Sequence, residues 1–190
     1  MKKILASIGF TLAIILVALA AYVFYPWTPM LASSFEIVAH RGVHQTFPLE
    51  NLENDTCTGT IIDLVNHEFI ENTLPSMKQA FASGATMVEL DIHRTSDDQL
   101  VVFHDWTLDC RTNGKGVTNE QTLEYLKSLD VGYGYTADGG QTFPLRGKGV
   151  GLMLSLDEVL TAFPNQKLVI DNKDGGEKTT ALLAAKLAPL

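Results

Sequence analysis

At residues 88–92 the chain reads Val88-Glu89-Leu90-Asp91-Ile92, an alternation of apolar and acidic side chains. Successive side chains of a β-strand point to opposite faces, so this pattern predicts a strand with one apolar face. Both carboxylates then share the other face, where they repel each other unless a cation lies between them. Because carboxylate oxygens suit Ca²⁺ or Mg²⁺, Glu89 and Asp91 are predicted to bind one divalent cation.

Polar side chains also stand where the other predicted strands end. These are His40 after the strand at 35–39, His104 and Asp105 after the strand at 100–103, and Asp171 and Lys173 at the end of the strand at 167–171. Polar residues gathered at the carboxyl ends of several strands are typical of the active site of a (β/α)8 barrel.

Helical patterns separate several of these strands. They cover residues 73–83, 122–129, 155–163 and 178–187, with Thr73 and Ser155 as expected N-caps. Alternating strands and helices predict an α/β fold with a parallel sheet covered by helices. Doubly wound sheets and barrels both fit this order, and the polar strand ends favour the barrel.

Two histidines and two cations complete a candidate site. His40 and His104 suit general acid–base catalysis, because imidazole titrates near neutral pH. The guanidinium of Arg41 suits a phosphate, and Lys173 offers a point charge for the same group. Together with a metal ion, these residues form a phosphoryl-transfer constellation. The other three histidines are interpreted as structural or exposed: His44, His67 and His93.

Several short motifs, in order and spacing, resemble the glycerophosphodiester phosphodiesterase family over about residues 36–175. The matching pieces are Ala39-His40-Arg41-Gly42, Glu71-Asn72-Thr73, and the stretches 84–91, 100–105 and 108–116. The resemblance implies a TIM barrel that hydrolyses glycerophosphodiesters to glycerol 3-phosphate and an alcohol.

The resemblance also implies roles for individual residues. His40 and His104 correspond to the acid–base pair, Glu89 and Asp91 to metal ligands, and Arg41 to the phosphate contact. The expected cofactor is therefore one divalent cation, Ca²⁺ or Mg²⁺. The substrate is expected to be a small glycerophosphodiester or a lysophospholipid, which leaves a lysophospholipase D-like enzyme as an alternative.

Two motifs add further candidate residues. The family's third ligand is a glutamate in a Glu-x-Lys sequence, whereas this chain reads Asp171-Asn172-Lys173. Asp171 is thus expected to be a metal ligand that is one methylene shorter. Glu71, from the Glu-Asn-Thr motif, is expected to face the site.

Residues 43–70 read as a loop insertion that contains a short structured piece. Such length is unusual in a loop without a functional reason. The insertion contains Cys57, and the only other cysteine is Cys110. The two form no metal-binding motif, and a single disulfide between them is left open.

The N-terminal segment predicts export. Residues 4–25 form an apolar run without a charged side chain, after two lysines in residues 1–3. Its length matches a bilayer, and the lysines are expected to stay cytoplasmic, so the run reads as a transmembrane anchor. A cleaved signal peptide is the alternative, with Ala18-Leu19-Ala20 as its cleavage site. Residues 26–34 read as a linker, and 35–190 as a periplasmic or extracellular domain, secreted if the segment is cleaved.

Length and charge set two further bounds. The net charge of -8 argues against a nucleic-acid partner, because such binding needs many Lys and Arg contacts to phosphates. The 190 residues fall short of the ~250 that a (β/α)8 barrel typically needs. The barrel is therefore expected to lack its C-terminal half. That shortfall predicts a longer native chain, self-association, or a truncated and inactive remnant anchored to the membrane.

Overall fold

The computed structural model describes residues 2–24, 35–53 and 56–188, with the side chains of 12–23 in the first range. It divides into two compact units, Met1–Phe35 and Glu36–Leu190. The first contains helix α1, Lys2–Phe24. Among the residues described, no helix is sufficiently long and apolar to cross a membrane, so the predicted transmembrane helix is not supported. The predicted linker at 26–34 lies outside the described residues.

The second unit is built on a five-stranded sheet. Its strands are β1 Val38–His40, β2 Met87–Arg94, β3 Leu100–Val102, β4 Leu154–Ser155 and β5 Lys167–Asn172. Strand β2 pairs in parallel with β1 and β5 on its two edges, and antiparallel with β3, which pairs antiparallel with β4. The α/β fold is confirmed, and the sheet formed by the described strands is open rather than closed into a barrel.

The expectation of an all-parallel sheet was wrong at β3. Ile92–Arg94 pair with Leu100–Val102, and residues 95–99 make the turn between them. A parallel neighbour needs a crossover of a dozen residues or more, which a connection this short cannot provide. Asp98, with a φ of 58°, lies in this turn.

Helices cover the sheet, and two of them begin at the predicted caps. They are α2 Leu74–Ala82, α3 Leu123–Lys127, α4 Leu156–Ala162 and α5 Gly176–Leu187. Thr73 caps α2, since its hydroxyl accepts a hydrogen bond from the amide of Ser76. Ser155 and Glu158 form a reciprocal capping box at the start of α4. Both predicted N-caps are confirmed.

The core lies on the apolar face of β2. Val88, Leu90 and Ile92 are fully buried and belong to one cluster with Met77 of α2 and Val159 of α4. This arrangement confirms the predicted alternation, since the acidic residues between them take the opposite face. The burial also fixes the register of β2, because a slip of one residue would expose its whole apolar set.

The insertion at 43–70 is packed rather than free. It contains a 3-10 helix at Thr58–Ile61, and Ile62 and Ile70 are buried in a second core cluster that includes Phe103. Cys57 and Cys110 form a disulfide, which answers the question the sequence left open. The insertion is thereby tied to the segment that follows β3.

Candidate active site

Three carboxylates converge on one face of β2 and at the carboxyl end of β5. Oxygen atoms of Glu89, Asp91 and Asp171 all lie within 4.8 Å of one another. The parallel register of the two strands sets Asp91 beside Asp171, and the period of two sets Glu89 on the same face as Asp91. The three predicted metal ligands are therefore brought together.

The chemistry of this acidic cluster fits a divalent cation. Burial, together with the charge of Asp91, raises the pKa of Glu89 above its ordinary value. Asp91 is fully buried, and its Oδ1 has no hydrogen-bond partner among the described residues. The nearest cation to that oxygen is Lys173, whose Nζ lies 2.9 Å away. Several carboxylate oxygens crowded together are the ligands that Ca²⁺ and Mg²⁺ prefer.

Arg41 faces the same cluster. Its Nη1 donates to Oε1 of Glu71 at 3.0 Å, and its Nε lies 3.2 Å from Oδ2 of Asp91. Its backbone amide donates to Oε2 of Glu89. Lys173 spans Asp91 and Asp171 in the same way. Both predicted phosphate-binding cations thus lie next to the predicted metal ligands, as does Glu71 through Arg41.

A glycine makes this approach possible. Gly42 has a φ of +81°, and a Cβ at that position would lie 2.2 Å from Oγ of Ser76. That hydroxyl donates to the carbonyl oxygen of Val43. The close contact between α2 and the end of β1 therefore requires glycine directly after His40 and Arg41.

The two predicted catalytic histidines differ in their surroundings. His40 is exposed, with its Nε2 3.9 Å from Oε2 of Glu89. Partial desolvation of the ring and the charge of Arg41 lower the pKa of His40. His104 is more buried, and its Nδ1 lies 2.7 Å from Oδ1 of Asp105. Since an ionised carboxylate only accepts, Nδ1 carries the proton and Nε2 is left for another group.

The sequence analysis did not predict the residue that connects the His104–Asp105 pair with Glu71 and Arg41 beside the acidic cluster. The buried side chain of Arg111 donates from Nη1 to Asp105, and its Nε lies 3.4 Å from Oε2 of Glu71. Its Nε also donates to the hydroxyl of Tyr135. Arg111 belongs to the matched stretch 108–116, and that membership was the only signal in the sequence.

The contacts of Arg111 also determine the charge state of Glu71 and Asp105. Burial opposes the ionisation of Glu71, but the charges of Arg111 and Arg41 outweigh it, so the pKa of Glu71 lies below its ordinary value. In the same way, the hydrogen bond from His104 and the charge of Arg111 lower the pKa of Asp105 despite its burial. Both carboxylates are therefore ionised at neutral pH.

The three histidines without an assigned role have local partners. His93 is fully buried, with Nδ1 2.8 Å from Oδ1 of Asp174 and Nε2 3.2 Å from the carbonyl oxygen of His104. His44 contacts the carbonyl oxygen of Gln45 through Nδ1. His67 contacts the side chain of the same glutamine. Two of the three bear on the site, because His93 supports the backbone of His104 and the ring of His44 packs edge-on against that of His40.

Known proteins resemble this chain in sequence. The model of the glycerophosphoryl diester phosphodiesterase family matches residues 40–183. A glycerophosphodiester phosphodiesterase from Caldanaerobacter subterraneus subsp. tengcongensis is 48% identical over 62 residues, which cover 33% of this chain and 26% of that protein. Glycerophosphodiester phosphodiesterase 1 from Homo sapiens is 45% identical over 65 residues, 34% of this chain and 20% of that protein. This chain thus matches less than half the length of these curated relatives.

Solved structures share the fold. The glycerophosphoryl diester phosphodiesterase domain of a Mycobacterium tuberculosis protein superposes with a TM-score of 0.57 at 23% identity, over 80% of this chain and 49% of that one. A phosphodiesterase from Oleispira antarctica, solved with the product sn-glycerol-3-phosphate, gives a TM-score of 0.55 at 24% identity, over 81% of this chain and 52% of that one. Because the family model covers most of its length, this chain belongs to the glycerophosphoryl diester phosphodiesterase family.

Proposed function

We propose that this chain carries a metal-dependent active site that hydrolyses glycerophosphodiesters to glycerol 3-phosphate and an alcohol. The observation that carries the proposal is the acidic cluster of Glu89, Asp91 and Asp171, whose oxygens lie within 4.8 Å of one another. Arg41 and Lys173 stand against the same cluster. A metal site flanked by two positively charged side chains suits a phosphodiester, because the metal ion and the side chains together offset the negative charge of the phosphate.

The three carboxylates would hold one Ca²⁺ or Mg²⁺. When bound, such an ion offsets the negative charge that builds on the phosphate oxygens. The N–H groups of Arg41 and Lys173 supply further donors for the same oxygens. The buried ion pair between Arg41 and Glu71 orients the guanidinium before substrate arrives.

The two histidines divide the proton transfers. His40, with its lowered pKa, is neutral near pH 7 and takes a proton from the nucleophile, which is water or the substrate's own glycerol hydroxyl. His104 gives a proton to the leaving oxygen from Nε2. Asp105 holds the opposite ring nitrogen of His104 and stabilises the charged ring, as a carboxylate does for histidine in catalytic triads.

The test is release of glycerol 3-phosphate from glycerophosphocholine by the full chain, before and after EDTA and with Ca²⁺ or Mg²⁺ restored. His40→Ala and His104→Ala should each lower kcat by roughly 10²–10⁴-fold with the fold retained. His67→Ala, which lies in the insertion, should remain active. An active His104→Ala enzyme would refute the assignment.

The same assay separates the alternatives. Faster turnover of a lysophospholipid than of glycerophosphocholine would favour a lysophospholipase D-like enzyme. A chain that releases no glycerol 3-phosphate with any metal would instead be an inactive remnant.

A further inference from the structure

A pocket of about 280 Å³ opens beside His104. It lies between the insertion and the segment after β3. Its walls include Thr56 and Cys57 from the insertion, and His104, Asp105, Trp106 and Cys110 from the segment after β3. One wall of this pocket therefore comes from residues 43–70, the stretch that interrupts the family's motifs between His-Arg-Gly and Glu-Asn-Thr.

The wall from the insertion is fixed in place. The disulfide between Cys57 and Cys110 joins the two sides of the pocket covalently. Next to it, Nη2 of Arg111 donates to the hydroxyl of Thr58 at 2.6 Å. Arg111 is also the residue that holds Asp105, so the same side chain positions the pocket wall and the carboxylate behind His104.

We propose that this pocket is the subsite for the alcohol that leaves, an inference that rests on the proposed function. His104 lines the pocket, and its Nδ1 is occupied by Asp105. The nitrogen that remains serves the leaving oxygen, and the alcohol that receives this proton then occupies the space beside the ring. The nucleophile, water or the substrate's own glycerol hydroxyl, forms the new P–O bond and gives its proton to His40. The P–O bond to the leaving alcohol breaks as the charged ring of His104 gives the proton on Nε2 to that oxygen, so the nucleophile is the one co-reactant.

The lining selects the class of alcohol. None of the described residues that line the pocket is a lysine or an arginine, so nothing there balances an anionic alcohol. Trp106 offers a half-exposed indole, and its ring is steadied by an edge contact with His93 at 5.2 Å between centroids. Aromatic faces attract quaternary ammonium groups. The subsite therefore suits a compact cationic alcohol, with choline as the simplest example.

The experiment compares kcat/KM for glycerophosphocholine and glycerophosphoglycerol in the full chain and two variants. Trp106→Leu keeps an apolar side chain but removes the π face, and it should lower kcat/KM for the choline substrate about tenfold while changing the glycerol substrate less than about twofold. Trp106→Phe should retain most of the preference. The control Tyr125→Leu alters an exposed aromatic residue outside the pocket and should change neither value.

Each result decides something different. If the wild type is active and Trp106→Leu leaves the ratio of the two kcat/KM values unchanged, the subsite is wrong and the proposed function stands. An equal loss on both substrates likewise overturns the subsite, because it indicates damage to the site as a whole. A wild type that releases glycerol 3-phosphate from neither substrate overturns the proposed function and the subsite with it.

Discussion

Arg111 and Glu71 form a buried ion pair, with Nε of the arginine 3.4 Å from Oε2 of the glutamate. Through its other nitrogens Arg111 reaches Asp105 behind His104, and through its other oxygen Glu71 reaches Arg41 beside the acidic cluster. The two halves of the candidate site are thus one connected set of charges. A substitution of Glu71 should therefore affect both Arg41 beside the acidic cluster and Asp105 behind His104.

Glu71→Gln should destabilise the fold strongly at neutral pH. The substitution leaves the guanidinium groups of Arg111 and Arg41 buried with less counter-charge, and losing one partner of a buried pair costs about 3–5 kcal/mol. Urea unfolding of both proteins measures the difference. The control Glu68→Gln removes an exposed carboxylate that pairs with Lys148, and it should cost under ~1 kcal/mol.

The pH dependence of that difference has a definite sign. The pKa of Glu71 is lowered in the folded state from its ordinary value of 4.5. Its contribution is therefore complete above pH 4.5 and is lost as the pH falls through the folded pKa. The wild type and Glu71→Gln should converge in stability in that acidic range. A gap that stays constant down to pH 3 would contradict the charge state assigned to this carboxylate.

Binding of a divalent cation should raise the melting temperature. A ligand that binds only the folded state stabilises it by about 2.7 kcal/mol at a concentration one hundred times Kd. Thermal scans with Ca²⁺ and with Mg²⁺ measure the shift. Asp171→Asn should abolish most of it, whereas Asp157→Asn, an exposed carboxylate on α4, should leave it intact. An undiminished shift in Asp171→Asn would exclude Asp171 as a ligand.

The parts of the site that sequence could predict are those governed by local periodicity. Alternation in β2 is enough to set Glu89 and Asp91 on one face, because the strand period is two. The register between β2 and β5 then pairs Asp91 with Asp171. Helix starts at Thr73 and Ser155 were predictable for a similar reason, since an N-cap acts within three residues.

The parts that sequence could not predict depend on distant contacts. Strand β4 has only two residues, Leu154–Ser155, and a strand that short leaves no periodic signal. Arg111 and Glu71 are forty positions apart in the chain, and nothing near either residue indicates the pairing. The antiparallel β3 was missed for a different reason. An apolar run such as 100–103 predicts a strand but not its direction, which the short connection at 95–99 determines.

Reduction of the disulfide should loosen the insertion and lower overall stability. Cys57 and Cys110 are 53 positions apart, and a closed loop of that length contributes about 4 kcal/mol in the chain-entropy model. Urea unfolding with and without a thiol reductant measures the loss. The double variant Cys57→Ser/Cys110→Ser should be as stable as the reduced wild type, and the reductant should not change its stability. If the reductant leaves the stability of the wild type unchanged as well, the disulfide contributes nothing to that stability.

Gly42→Ala should damage both the fold and the site. The new Cβ would lie 2.2 Å from Oγ of Ser76 and would push α2 away from the end of β1, where His40 and Arg41 lie. Gly147→Ala is a matched control, since its φ of +84° is nearly the same but nothing lies within 4 Å of the added Cβ. Both variants carry the cost of a left-handed alanine, about 1–2 kcal/mol, and only Gly42→Ala adds a steric cost of about 1–3 kcal/mol. Urea unfolding of the two variants should therefore rank Gly42→Ala as the less stable, with kcat reduced in that variant alone. Equal stabilities would mean that α2 does not need to approach β1 this closely.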